Sequence, residues 1–236
     1  MVRVCRSVAL PWTDGIRTAH LRADIVAVMA TPDGVVPGNI YLFRHGETEW
    51  SLSGQHTGTT DLPLLPEGEA AARELAGVLS KHRFERVLVS PLQRAKRTAE
   101  LAGLGDFEVE PLLREWDYGA YEGITTKQIT AEIGHPWEVF VDGVQPGVTP
   151  GETIEQVSAR AQRVIDKVWP DLERGDVALF GHGHALRVLT ATYLGLDPRF
   201  GQQLILDAGS MSVLTHHRST RCLGMYNLSP WRLLSD

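Results

Sequence analysis

Cysteine is scarce in this chain: Cys5 and Cys222 are the only two in 236 residues, and they lie at opposite ends. One pair so placed makes no disulfide framework, which favours a reducing compartment, and the protein is expected to be cytoplasmic. Long apolar runs are missing as well. Residues 25–30 (IVAVMA) are the only apolar stretch near the N-terminus, preceded by Asp24 and followed by Pro32, Asp33 and Gly34. That is too short for a membrane span and for the core of a secretory leader. There is no excess of positive charge either. With Lys+Arg at 23 and Asp+Glu at 29 the formal net charge is −6, which argues against a nucleic-acid partner. It leaves an anionic small molecule open, because an acidic protein can still hold a locally basic pocket.

What is present is ordinary for a globular protein: 43% hydrophobic and 22% charged residues, at a length suited to one domain with an appendage. Residues 1–38 show no sustained period and end in TPDGVVPG. They are expected to form an N-terminal extension, either a flexible arm or a segment bypassed by a start at Met29. Residues 39–236 then alternate strand and helix. NIYLFR (39–44) reads as a strand. Residues 66–82 carry Leu75, Val78, Leu79 and His82 at helical spacing after Pro66. RVLV (86–89) reads as a second strand, and Ser90-Pro91 as the cap and first turn of a helix closed by Gly103. Residues 107–110 are a candidate third strand. A loop-rich cap covers about 112–150. Ile154, Val157, Ala161, Val164, Ile165, Val168 and Leu172 make one apolar stripe, with Pro170 loosening its last turn. DVALF (176–180) leads into GHGH and a helix ending near Gly195, and 210–216 with 220–226 read as a closing pair. This order predicts an α/β three-layer sandwich with a mostly parallel central sheet, its ligand site beyond the carboxyl ends of the strands.

Four motifs fall at those ends. Arg44-His45-Gly46 follows the first strand. A neutral imidazole can attack phosphorus, and an adjacent guanidinium can hold phosphate oxygens by paired charge-assisted bonds; Gly46 lets backbone approach the anion. Arg94, in SPLQRAKRTA, sits near a helix N-terminus that itself favours anions, although a lone helical arginine is usually a surface charge. LREWDYGAYEG offers Glu115, Asp117 and Glu122 as the acid that protonates a leaving alkoxide and then activates water; Glu115 is the candidate, and the residues alone do not choose among the three. His182, in GHGH, can donate to a transferring phosphoryl group, and Gly183 offers a backbone N–H.

The ordered set RHGET, SPLQRAKRTA, LREWDYGAYEG and GHGHALR, over about residues 40–215, resembles the histidine phosphatase superfamily in its phosphoglycerate-mutase-like branch. The resemblance implies a phosphohistidine on His45, a phosphate pocket of Arg44, Arg94 and His182, and Glu115 as proton donor and acceptor. It also implies substrate contacts from Ser51, Thr57 and Gly58. GQHTGTTDLPL, Gly151-Glu152-Thr153 and LDAG are similar to sedoheptulose bisphosphatases and to small acid phosphatases of that branch, although Gly195–Asp207 is short for the former. A sugar phosphate is therefore the expected substrate, in a pocket shaped by His56, Tyr118, Lys127 and Trp137. Trp50, Trp137 and Trp169 are read chiefly as packing residues.

Phosphoglycerate mutase is the alternative. Against it, the cap from Gly123 to Gly151 carries one lysine, Lys127, and no arginine to clamp a second anionic group. A metal-dependent hydrolase using His182, His184, His216 and His217 would leave Arg44 and Arg94 unexplained, and a non-catalytic phosphate-binding module would not need all five reacting residues. No cofactor or metal is expected. The partner is a small phosphorylated metabolite, with no nucleic acid and no membrane, and a homodimer is left open.

Overall fold

A computed structural model describes residues 38–218 and 220–229. The expected N-terminal extension, Gly38 apart, and the start at Met29 lie outside these residues. The chain enters the sheet at β1 (Ile40–Arg44) and turns into α1 (Glu49–Ser53), capped by the Thr48 hydroxyl, which accepts the Ser51 N–H at 3.2 Å. Helix α2 (Pro66–Leu79) has its proline in the first turn and leads to β2 (Phe84–Val89). Helix α3 (Gln93–Leu101) and the two-residue β3 (Glu108–Val109) follow. Single 3₁₀ turns at Pro111–Leu113 and Gly119–Tyr121 and two short helices, α4 (Thr126–Ile133) and α5 (Val139–Asp142), make up the cap. Then come α6 (Ile154–Val168), β4 (Asp176–Gly181), α7 (Gly183–Tyr193), β5 (Met211–His217) and β6 (Thr220–Leu228).

The sheet order is β3-β2-β4-β1-β5-β6. The first four strands run parallel, and β5 and β6 are antiparallel at one edge. Strand alternation divides β1 between two faces. Ile40 and Leu42 join the α6 stripe and Leu186, Leu189 and Tyr193 of α7 in one core. On the opposite face Phe43 stacks on Phe180 with ring centroids 4.5 Å apart, and α3 contacts β2 and β4 while α2 packs on α3. Each buried aliphatic side chain of α6 contributes roughly 1.5–3 kcal/mol. The reciprocal Thr153–Gln156 capping box starts that helix, and Pro170 converts its end into a 3₁₀ turn at Trp169–Glu173.

Two local expectations need correction. The helix expected over 66–82 stops at Leu79, because His82 turns back to Asp176, its Nε2 2.8 Å from the carboxylate. Ser90-Pro91 does not cap α3, which begins at Gln93. The Ser90 hydroxyl is engaged by His182, and the Asp61 carboxylate accepts the Gln93 N–H at 2.8 Å in its place.

Gly46 also has a different reason from the one expected. A Cβ there would lie 2.4 Å from the Gly68 carbonyl, and a Cβ at Gly68 would lie 2.4 Å from the Glu47 carbonyl. The turn after β1 and the start of α2 thus touch backbone to backbone. Gly68→Ala is expected to destabilise the protein by about 1–3 kcal/mol, the usual cost of overpacking. Gly77→Ala, in the same helix with nothing within 4 Å, should be neutral or stabilising. Urea melts of the two variants check this, and equal stability would contradict it.

Candidate active site

Register explains why two distant motifs meet. Arg44 pairs with Gly181 across parallel β1 and β4, so His45 and His182 leave the same sheet edge side by side, with rings 5.1 Å apart. Ser90 leaves β2 beside them, its N–H donating to Phe180 O at 2.9 Å.

His45 is 4% exposed and its Nδ1 lies 2.7 Å from the Gly46 carbonyl. A carbonyl only accepts, so the proton is on Nδ1 and Nε2 keeps its lone pair. Burial holds the His45 pKa well below the usual histidine value, helped by Arg94 and Arg44 and opposed by the Gly46 bond. The ring is therefore neutral, with a free lone pair on Nε2. His182 is fully buried, and burial followed by Arg94 likewise holds its pKa well down. Its Nδ1 accepts from Arg94 Nε at 3.1 Å, so Nε2 carries the proton toward the Ser90 hydroxyl at 2.7 Å.

Arg94 has no exposed surface and fixes the loop after α1: NH1 donates to Thr60 O and NH2 to Thr57 O, both at 2.9 Å. Glu122 secures the same loop from the other side, accepting from Gly58 N at 3.0 Å and Thr60 N at 2.9 Å. Gly58, expected to contact substrate, is thereby turned away: its N–H belongs to Glu122, and it does not line the cavity. Glu122, one of three acids weighed for proton transfer, holds the loop. Asp117 accepts from Gly119 N and the Thr149 hydroxyl. Glu115 alone of the three lines the cavity. Its Oε1 accepts from Trp116 N at 2.9 Å and Ala185 N at 2.8 Å, and its Oε2 from His184 N at 3.1 Å. The carboxylate thus sits on the N-terminus of α7, where free N–H groups favour negative charge.

The cavity, of about 270 Å³, brings together Arg44, His45, Ser51, His56, Thr57, Glu115, Tyr118 and Gly183. Arg94 and His182 lie behind its wall. Arg44 lies over Gly183, where a Cβ would come 3.3 Å from the guanidinium, and its NH1 donates to Leu206 O. The Ser51 hydroxyl accepts the Thr48 N–H at 2.8 Å. His56 donates from Nδ1 to Ile124 O at 2.6 Å, and its ring packs edge-on against Tyr118 and Trp137. Lys127 is not on the wall; Thr126 is.

Trp137, expected both to pack and to shape the pocket, lines the cavity. The sequence reading missed other parts of this lining: Trp50, read as a packing residue, faces the cavity, as do His184 and Arg187. Arg187 donates from Nε to Gly201 O at 2.8 Å and from NH2 to Gln202 O at 3.0 Å, with its guanidinium 4.5 Å from the Phe140 ring centre. Among the described residues its NH1 has no acceptor. Arg187 stands four residues after Gly183, one helical turn away on the same face, and that spacing was the available signal. His184 Nδ1 is hydrogen-bonded to the Tyr118 hydroxyl, 2.5 Å away; burial first, then the Arg187 charge, keeps the ring neutral. Among the described residues no group of three His, Cys, Asp or Glu is arranged to hold a metal ion.

These directions fix a pH dependence. The unfolded chain protonates His45, His182 and His184 near pH 6.5, whereas the folded chain does so only at lower pH. Below about pH 6.5 the unfolded state binds more protons, so stability falls as pH drops toward the folded values. Nitrogen-15 NMR of the histidine rings should find all three midpoints well below 6.5; a His45 midpoint near 6.5 would contradict this.

Comparison with known proteins agrees with the geometry. The histidine phosphatase superfamily (branch 1) profile matches residues 40–229. The chain is 36% identical over 199 residues to an acid phosphatase of Mycobacterium tuberculosis, covering 83% of this chain and 95% of that protein. It is 36% identical over 186 residues to sedoheptulose 1,7-bisphosphatase of Saccharomyces cerevisiae, covering 66% and 67%, and 33% identical over 184 residues to a probable phosphoglycerate mutase of Serratia proteamaculans, covering 76% and 86%. Among solved structures, mycobacterial glucosyl-3-phosphoglycerate phosphatase superposes with a TM-score of 0.70 at 27% identity, covering 81% of this chain and all of that one.

Proposed function

Because the chain belongs to the histidine phosphatase superfamily (branch 1) and is a phosphoric monoester hydrolase, we propose that His45 takes the phosphoryl group and that the substrate is a small sugar phosphate. The observation that carries this reading is the His45 ring, neutral and with its Nδ1 proton pinned on Gly46 O. Nε2 attacks phosphorus, the bond to the leaving oxygen breaks, and Glu115 gives that oxygen a proton. Glu115 then takes a proton from water, the water oxygen bonds to phosphorus, and the P–N bond breaks to free phosphate and restore His45. Arg44 at the wall, with Arg94 and His182 behind it, offsets charge developing on the phosphoryl oxygens. Oε2 of Glu115, with one protein donor against two on Oε1, is the better placed oxygen for the transfer.

The rest of the cavity supports a sugar. Gln55, His56, Thr57, Tyr118, Thr126 and Glu138 supply hydrogen-bonding groups, and Trp50 and Trp137 supply apolar faces. Arg187 supplies the second cationic group that the cap lacks, so a sugar bearing a second phosphate or a carboxylate is the better fit. A cytoplasmic enzyme acting on free metabolites, without nucleic acid, belongs to the same reading. No described helix is long and apolar enough to cross a membrane, and among the described residues Cys222 forms no disulfide.

Phosphate release across mono- and bisphosphorylated sugars, set beside isomerisation of 3-phosphoglycerate with bisphosphoglycerate, tests the reading. Hydrolysis of at least one sugar phosphate should outrun isomerisation. Arg187→Met should lower selectivity for bisphosphates over monophosphates by about 10- to 100-fold, the loss of one charge-assisted bond of roughly 1.5–3 kcal/mol. Isomerisation faster than every hydrolysis would favour the mutase.

A further inference from the structure

Glu115 has to be placed to well within an ångström, yet residues 115–118 belong to no helix or strand. Something outside that segment must hold it. Among the buried residues of α6 is one charged side chain, Arg160, 5% exposed, on the same face as Val157, Ala161 and Val164. Its NH1 donates to Leu112 O at 2.8 Å and Arg114 O at 2.7 Å, and its NH2 to Glu115 O at 3.1 Å. The remaining N–H groups meet both carboxylate oxygens of Glu152, at 3.0 and 3.2 Å. One rigid guanidinium thus spends its five N–H groups on three carbonyls of the acid loop and one carboxylate.

Glu152 extends the grip. Its Oε1 also accepts from Arg114 NH2 at 2.6 Å, and its Oε2 from Asp117 N at 3.1 Å. Its carbonyl accepts the Trp116 indole N–H at 2.7 Å, and its own N–H donates to Asp117 O at 2.9 Å. Every residue from Arg114 to Asp117 is therefore tied to Arg160 or Glu152. The Glu115 backbone is fixed from α6 and its carboxylate from the N-terminus of α7.

We infer that Arg160, acting with Glu152, is a positioning residue that holds Glu115 in register for proton transfer. The inference rests on the reading of Glu115 as the acid. Displacing a reacting group by about 1 Å can cost on the order of 100-fold in rate, and the loss here falls on one step, protonation of the leaving oxygen. It must therefore grow as the leaving group becomes more basic, a pattern a purely structural role would not give.

The experiment measures kcat/KM for phosphoryl transfer across esters from an alkyl phosphate to 2,4-dinitrophenyl phosphate. Arg160→Lys keeps the charge but cannot span three carbonyls and a carboxylate. Removing one partner of a buried pair can unfold a protein, whereas replacing both by apolar side chains is often tolerated, so the double variant Arg160→Met, Glu152→Met is measured beside it. In whichever is folded by thermal melt, the alkyl phosphate should lose about 10- to 100-fold, within the range typical of a lost general acid, and 2,4-dinitrophenyl phosphate little. Adding Glu115→Gln should cost nothing further. An equal loss across leaving groups, additive losses with Glu115→Gln, or an unchanged series would overturn the proposal. Glu115→Gln alone is the reference: if its own series is flat, the assignment of the acid falls, and the positioning role with it.

Discussion

Parallel pairing of β1 with β4 places Arg44 opposite Gly181 and so brings the next residue of each strand, His45 and His182, to one edge of the sheet. Everything else in the site is arranged around that juxtaposition. The pairing stands on the core behind it, where Ile40, Leu42, Val177 and Leu179 meet α6 and α7 without exposure. Because these strands are buried on both faces, a slip of register by one residue would carry the histidines to different levels and drive core side chains to the wrong face. The same burial keeps both imidazoles neutral.

Four arginines organise the space in front of that edge, each anchored by backbone carbonyls of irregular segments. Arg44 holds Leu206, Arg94 holds Thr57 and Thr60, Arg160 holds Leu112, Arg114 and Glu115, and Arg187 holds Gly201 and Gln202. A buried cation is costly without acceptors, and loop carbonyls left unpaired by helix or sheet are costly without donors. Joining them satisfies both and fixes the loops. This is how a chain of net charge −6 carries a basic pocket.

Much of this was legible in the sequence because the strand-ending motifs fix where the edge of the sheet must be. The alternation of elements, the α6 stripe with its proline-loosened end, and His45 beside Arg44 all follow from local patterns. What the sequence hid were contacts with no local signature. Nothing about Ser90-Pro91 says that the hydroxyl serves His182 and that Asp61 caps the helix instead. Gly46 looked like an approach to an anion and is an approach to Gly68. Gly58 looked like a phosphate contact because Glu122, far along the chain, could not be placed against it. Arg187 and Arg160 were readable in principle, one by its turn spacing from Gly183 and the other as a charge on an apolar stripe. Their meaning needed the carbonyls that meet them.

Transfer of the phosphoryl group to Nε2 of His45 is the claim on which the proposed chemistry turns. An alkaline quench during steady turnover, followed by mass spectrometry of the digested protein, tests it most directly, since a phosphorus–nitrogen bond survives base and is lost in acid. Acid-labile phosphate should be found on His45, forming at least as fast as turnover, and His45→Ala should neither trap phosphate nor hydrolyse the substrate. Turnover with no acid-labile phosphate on His45, or near-normal hydrolysis by His45→Ala, would contradict it.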